Sequence, residues 1–132
     1  MKHTLHLVLL TACVGLATGA TAGLQDPSSK DNLNERLEAT KIVWEKLSRR
    51  PVETVSDMDT RALWSCRLAE ASIAAGSVTA REALGEHLKR MEARLKVMES
   101  LVQDDRAGEY DLAFVRYHVL DAKRLLAQAT TK

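Results

Sequence analysis

Residues 79–102 read TAREALGEHLKRMEARLKVMESLV, and this stretch decides the fold class. Thr79 and Glu82 have the spacing of a capping box, in which the hydroxyl accepts from the third helical amide and the carboxylate reaches back to the cap residue's own amide. Leu84, Leu88, Met91, Leu95, Met98 and Val102 then recur at intervals of 4, 3, 4, 3 and 4. That heptad spacing is the pattern of a coiled-coil-like seam. It predicts a helix, C, over residues 80–106, about 40 Å long at about 1.5 Å per residue, whose seam needs a partner of similar length. Glu86–Arg90 and Glu92–Lys96 are expected to pair along its outer surface at i, i+4.

Working outward, Gly108 is the expected stop for C, and Asp111 favours the start of a following helix through its charge at the amino end. Leu112, Val115, Val119, Ala122 and Leu126 predict helix D over 111–129, and the short 107–110 connection makes C and D antiparallel neighbours. Upstream, Met58, Ala62, Cys66, Ala69 and Ile73 mark the inner face of helix B over 57–75, entered through Ser56 and Asp59 and ended by Gly76. Leu33, Leu37, Thr40, Trp44 and Leu47 give helix A over 30–48, which stops before Pro51 because the residue preceding a proline is pushed out of helical geometry. No stretch alternates as a strand does. The fold class is therefore all-α: an antiparallel bundle of about four helices dominated by a long C-terminal coiled-coil-like hairpin. C is expected to outreach D by about two turns. Leu84 and Leu88 would then need cover from helices A and B, or from a second copy as the second choice.

The 132 residues allow one domain. Residues 1–22 combine Lys2, an apolar run from Thr4 to Leu16 and a small-x-small site at Ala20–Ala22, the pattern of an export signal cleaved before Gly23. Retention as an N-terminal anchor is the alternative. Leu10-Thr11-Ala12-Cys13 also resembles a lipoprotein box, which makes Cys13 a candidate lipidation site. Residues 23–29 read as a linker, 30–129 as the bundle and 130–132 as a tail. All 18 acidic residues, and all but one of the 19 Lys and Arg, lie beyond residue 22, so the processed chain carries no net charge. That balance argues against nucleic-acid binding, and membrane contact is expected only through a lipidated Cys13 or a retained signal.

Cys66 would be the one remaining cysteine and reads as a core residue, with an intermolecular disulfide or a reactive thiol as the alternative. His87 and His118 are the candidate cofactor ligands. His87 lies beside the seam of C as a boundary residue, and His118 stands three before Asp121, with which it is expected to pair. Neither belongs to a haem attachment motif or to the Glu-x-x-His pattern of di-iron bundles, so no metal or cofactor is expected. Trp64 and Arg67, three apart on helix B, are the candidate interaction residues. No nucleophile motif accompanies the histidines, so no catalytic residue and no enzymatic activity are expected.

The runs Trp64-Ser65-x-Arg67 with Glu70-Ala71, His87-Leu88-x-Arg90-Met91, Ala107-Gly108, and Arg116-Tyr117 with Leu120-Asp121-Ala122 together resemble a group of small exported helical proteins from planctomycete-type bacteria. The Gly turn and the helix after it are also similar to the helical hairpins of TolC-like outer-membrane efflux factors. The resemblance spans residues 62–127. It implies an exported helical protein and no catalytic residue, and the membrane strands of efflux factors have no counterpart here. The expected function is that of an exported, non-enzymatic protein of the periplasm or cell envelope, working by helix–helix contact with itself or an envelope partner. A small metal- or haem-binding bundle, or a lipid-anchored envelope protein, is the alternative.

Overall fold

The computed structural model describes residues 29–51 and 55–131, with Val55 described by its backbone alone. Four helices follow one another: α1 (Lys30–Arg49), α2 (Val55–Ala74), α3 (Ala80–Gln103) and α4 (Glu109–Thr130). No strand occurs among the described residues, so the chain is all-α and bundled. The expected signal, Cys13 and most of the linker lie outside the described residues.

The caps explain the boundaries. Thr79 forms the expected capping box: the Glu82 amide donates to its Oγ1 at 3.2 Å, and its own amide donates to Glu82 Oε2 at 2.9 Å. Ser29, assigned to the linker by sequence, instead caps α1 by accepting from the Asn32 amide at 3.3 Å. At the end of α2, Gly76 takes φ 66°, with Gly76 N donating to Ile73 O at 3.0 Å and Ser77 N to Ser72 O at 3.1 Å. This is the paired bonding of a Schellman end, and glycine suits its left-handed residue.

The end of α3 repeats that geometry with a different residue. Asp105 holds φ 56°, Asp105 N donates to Val102 O at 3.1 Å and Arg106 N to Leu101 O at 2.8 Å. Aspartate is among the few side chains that visit this region. Helix α3 therefore stops at Gln103 rather than at 106, and Gly108 starts α4 instead of ending α3. Its amide donates to Asp111 Oδ2 at 2.8 Å.

These shifts leave α3 and α4 nearly equal, at 24 and 22 residues. The expected two-turn overhang of the third helix does not exist. The carboxyl-terminal end of α4 reaches Leu84, where Leu125 and Ala129 help line a shared cleft with it. Leu88 packs against the core cluster that contains Ala62, Met91, Val119 and Ala122. Helix α1 is not their cover: its backbone packs against α2 alone. The arrangement is a three-helix core of α2, α3 and α4 with α1 laid on the outside of α2.

Two contiguous clusters form that core. One gathers Ala62, Met91, Val119 and Ala122, and the other Met58, Met98 and Val115; Leu95 packs against both. The buried stripe of α3 runs through Ala83, His87, Met91 and Met98. Leu84, Leu88, Leu95 and Val102 of the expected seam are only half-buried. The stripe is rotated because α3 must serve two neighbours, α4 on one flank and α2 on the other.

Candidate functional site

The contact between α2 and α3 is polar at its centre. Small residues on α2, Ala62, Ser65 and Ala69, are all buried and let α3 approach closely. Ser65 is fully enclosed. Arg90 Nε donates to Ser65 Oγ at 2.7 Å, and Arg90 Nη2 reaches the Ser65 carbonyl at 3.4 Å. Arg90 can only donate, so Ser65 Oγ accepts from it, and Oγ also lies 2.8 Å from His87 Nδ1, a hydrogen bond whose direction follows the histidine tautomer. Trp44 of α1 covers the outer side, with the Arg90 guanidinium 5.2 Å from its ring centroid, a cation–π distance. Serine, histidine, arginine and tryptophan from three helices thus form one connected cluster.

His87 is 4 % exposed, a core residue rather than the boundary residue the sequence suggested. Burial, then the neighbouring Arg90 charge, push its imidazole down to about 4; Asp121 opposes the shift and His118 adds to it. A serine hydrogen-bonded to histidine has the outline of a nucleophile and its base. Here the hydroxyl is enclosed, and the group completing the trio is a cation that weakens the imidazole as a base. The cluster ties α2 to α3 and is overlaid by Trp44 of α1. Arg90 turns inward instead of pairing with Glu86, whose carboxylate takes Lys89 at 2.6 Å. Glu92, expected to pair within its own helix, reaches Lys123 of α4 at 3.6 Å.

His118 does not pair with Asp121. Its Nε2 faces Asp59 Oδ1 of α2 at 3.5 Å, an electrostatic contact that leaves Nε2 without a hydrogen bond. Asp121 instead receives Arg124 at 2.8 Å. The His118 ring sits edge-on to Phe114 and Tyr117, with centroids 4.8 and 5.5 Å away. Burial lowers its basicity, against the pull of Asp59 and Asp121. Among the described residues, no group of three or more His, Cys, Asp or Glu side chains is placed to hold a metal ion.

Trp64 and Arg67 do meet, with the Arg67 guanidinium 4.9 Å from the Trp64 ring centroid. Trp64 is half-buried and Arg67 exposed. Cys66 is half-buried rather than a core residue. Burial, with Glu70 and Asp121 nearby, raises its thiol and keeps it protonated, which makes it a poor nucleophile.

Sequence reasoning missed Arg61, which is 2 % exposed. Its Nη2 donates to the Arg50 carbonyl and, at 3.1 Å, to the Pro51 carbonyl, while Nη1 has no hydrogen-bond partner. A cation at the carboxyl end of α1 satisfies acceptors left open there and opposes the negative end of the helix dipole. Its position, three after Met58 and four before Ser65, falls on the buried face of α2 and was the available signal.

The opposite side of α4 is apolar and open. Tyr110, Tyr117 and Leu120 are 73 %, 63 % and 65 % exposed, while Val115, Val119 and Ala122 on the same helix are buried. No family model, curated protein or solved structure matches the chain. Among the described residues, no helix is long and apolar enough to cross a membrane.

Proposed function

We propose that this chain is an exported, non-enzymatic helical protein of the periplasm or cell envelope that works by presenting a helix face to another helix. The outer face of α4 carries the reading. It holds Tyr110, Tyr117 and Leu120 open on a helix whose opposite side already fills the core. Tyrosine is favoured where an apolar body must be buried while its hydroxyl keeps a polar contact, which is why contact surfaces are rich in it. Enclosure of the Ser65–His87 pair favours a structural use of those groups over catalysis. The export part of the proposal rests on residues 1–22.

Fractionation of cells making a carboxyl-tagged chain, with a photo-crosslinking residue at Tyr117 or at Lys41, tests both parts. The expected result is tagged protein in the envelope or periplasmic fraction, with protein adducts from position 117 and few from position 41 on α1. Full-length protein confined to the cytoplasm refutes export. Equal or absent adducts from the two positions refute α4 as the working surface.

A further inference from the structure

The exposed residues of α4 are themselves arranged as a heptad seam. Tyr110, Ala113, Tyr117, Leu120, Arg124 and Ala127 follow at intervals of 3, 4, 3, 4 and 3, and all six are exposed. Val115, Val119 and Ala122 face the other way, into the core. One helix thus carries two seams, and only one is covered. Any face of a helix repeats at this spacing; what marks this one is that five of its six positions, all but Arg124, are apolar, as in a helix-packing seam, and nothing in the packing of a single chain requires that on the solvent side.

Charge and side-chain size select the occupant. Glu109, Arg116 and Lys123 flank the seam along one edge, one heptad apart. When two copies of α4 run antiparallel with Tyr117 opposite Ala113 of the second copy, the two-fold axis places each Tyr117 ring against a small residue. Tyr110 then meets Leu120 of the second copy. The same register sets Glu109 opposite Lys123 of the second copy, twice. Arg116 meets its own counterpart near the axis, a single like-charge contact on a solvated edge. Sliding the register one heptad towards the carboxyl end would set Arg116 against Lys123 twice and bring Ala113 against Arg124, and sliding it the other way would leave Tyr117 beyond the start of the second copy's α4. A parallel pair would stack Arg124 on Arg124 within the seam.

We infer that the outer face of α4 is a self-association surface, on which a second copy of this chain docks antiparallel through Tyr110, Ala113, Tyr117 and Leu120, with Glu109 and Lys123 fixing the register. This rests on the helix-presenting function proposed above and names its partner. A standard interface buries about 800 Å² on each side, and one helix face of this length offers less. The dimer is therefore expected to be reversible, with dissociation in the micromolar range or weaker.

Sedimentation equilibrium of the purified chain from about 5 µM to 500 µM, spanning that range, is the test. The expected result is a monomer–dimer equilibrium that Leu120→Asp weakens at least about tenfold, the scale of losing one central apolar contact. Glu109→Lys and Lys123→Glu should each weaken it, while the double exchange E109K/K123E restores it, because the pairs reform with reversed sign. Circular dichroism melting of every variant separates loss of association from loss of folding; Glu109→Lys lies outside the Lys123–Glu92 contact and keeps the charge arm readable if Lys123→Glu melts early. A chain monomeric throughout, a dimer indifferent to Leu120→Asp, or a double exchange no better than its single variants overturns the inference. A monomeric chain that still cross-links an envelope protein from Tyr117 overturns this inference and leaves the proposed function standing. A dimer formed through α4 by a chain that stays in the cytoplasm does the reverse.

Discussion

Lowering the pH from 7.5 to 5 should lower the stability of the fold through one imidazole, that of His87. In the native chain His87 Nδ1 is hydrogen-bonded to Ser65 and sits beside Arg90, and its pKa is depressed to about 4. In the unfolded chain the same group titrates near about 6.5. A base whose folded pKa is depressed leaves stability untouched above the unfolded value. The stability is lost as pH falls below about 6.5, because the unfolded chain takes up the proton first, and the loss levels off below about 4, where the native chain takes it too. The full shift corresponds to about 3 kcal/mol, of which about 2 kcal/mol is lost by pH 5. That is a large share of the stability of a small domain. His118 is shifted in the same direction, so the measurement belongs in a His118→Asn background. Urea unfolding at pH 7.5, 6 and 5 should show the loss for that variant, and a much flatter profile once His87→Asn is added. The same slope with and without His87, or an NMR titration placing the native imidazole at pH 6 or above, would refute the neutral, buried assignment.

Ser65→Ala should cost about 1–3 kcal/mol, because it leaves Arg90 Nε and His87 Nδ1 facing each other without a bridge in an enclosed space; chemical denaturation measures it. Ala122 has no exposed surface, so Ala122→Leu should overpack the α2–α3–α4 junction and lower stability by about 1–3 kcal/mol, read as a lower urea midpoint. Leu95→Ala should cost about 2 kcal/mol, the low end for a leucine truncation, since Leu95 bridges both core clusters while keeping some exposure; a loss below about 0.5 kcal/mol would place it outside the core. Mass spectrometry of the exported chain should find Gly23 first, and a diacylglyceryl-modified Cys13 would replace cleavage with lipidation.

The helices were legible because their signals are local. The Thr79–Glu82 box, Gly76 and Pro51 each act within a turn of their own position, and periodicity marked where each helix runs. The α3–α4 turn misled because Asp105 and Gly108 compete for one role. A reading by propensity gives the left-handed position to glycine, yet the aspartate takes it and the glycine opens the next helix. That exchange shortens α3, removes the expected overhang and relieves α1 of covering Leu84 and Leu88.

The polar cluster was hidden for a different reason. A heptad count weighs apolar positions, so it drew the face of α3 through its leucines and left His87 and Arg90 at the rim. With α4 on one flank and α2 on the other, α3 has two buried faces, and the second is read from α2. There Met58, Arg61, Ala62, Ser65 and Ala69 are all buried, a stripe with a charge and a hydroxyl set among small side chains. Such a stripe stays buried only if a facing helix supplies partners for its polar groups. His87 and Arg90, three apart on α3, do so for Ser65, while Arg61 finds its acceptors at the end of α1. Helix α1 is then required for more than apolar cover: Trp44 shields Arg90 from outside, and the Arg50 and Pro51 carbonyls receive Arg61. The polar groups fix which face of α2 meets α3 and where α1 ends, choices that an all-leucine contact would leave more nearly degenerate.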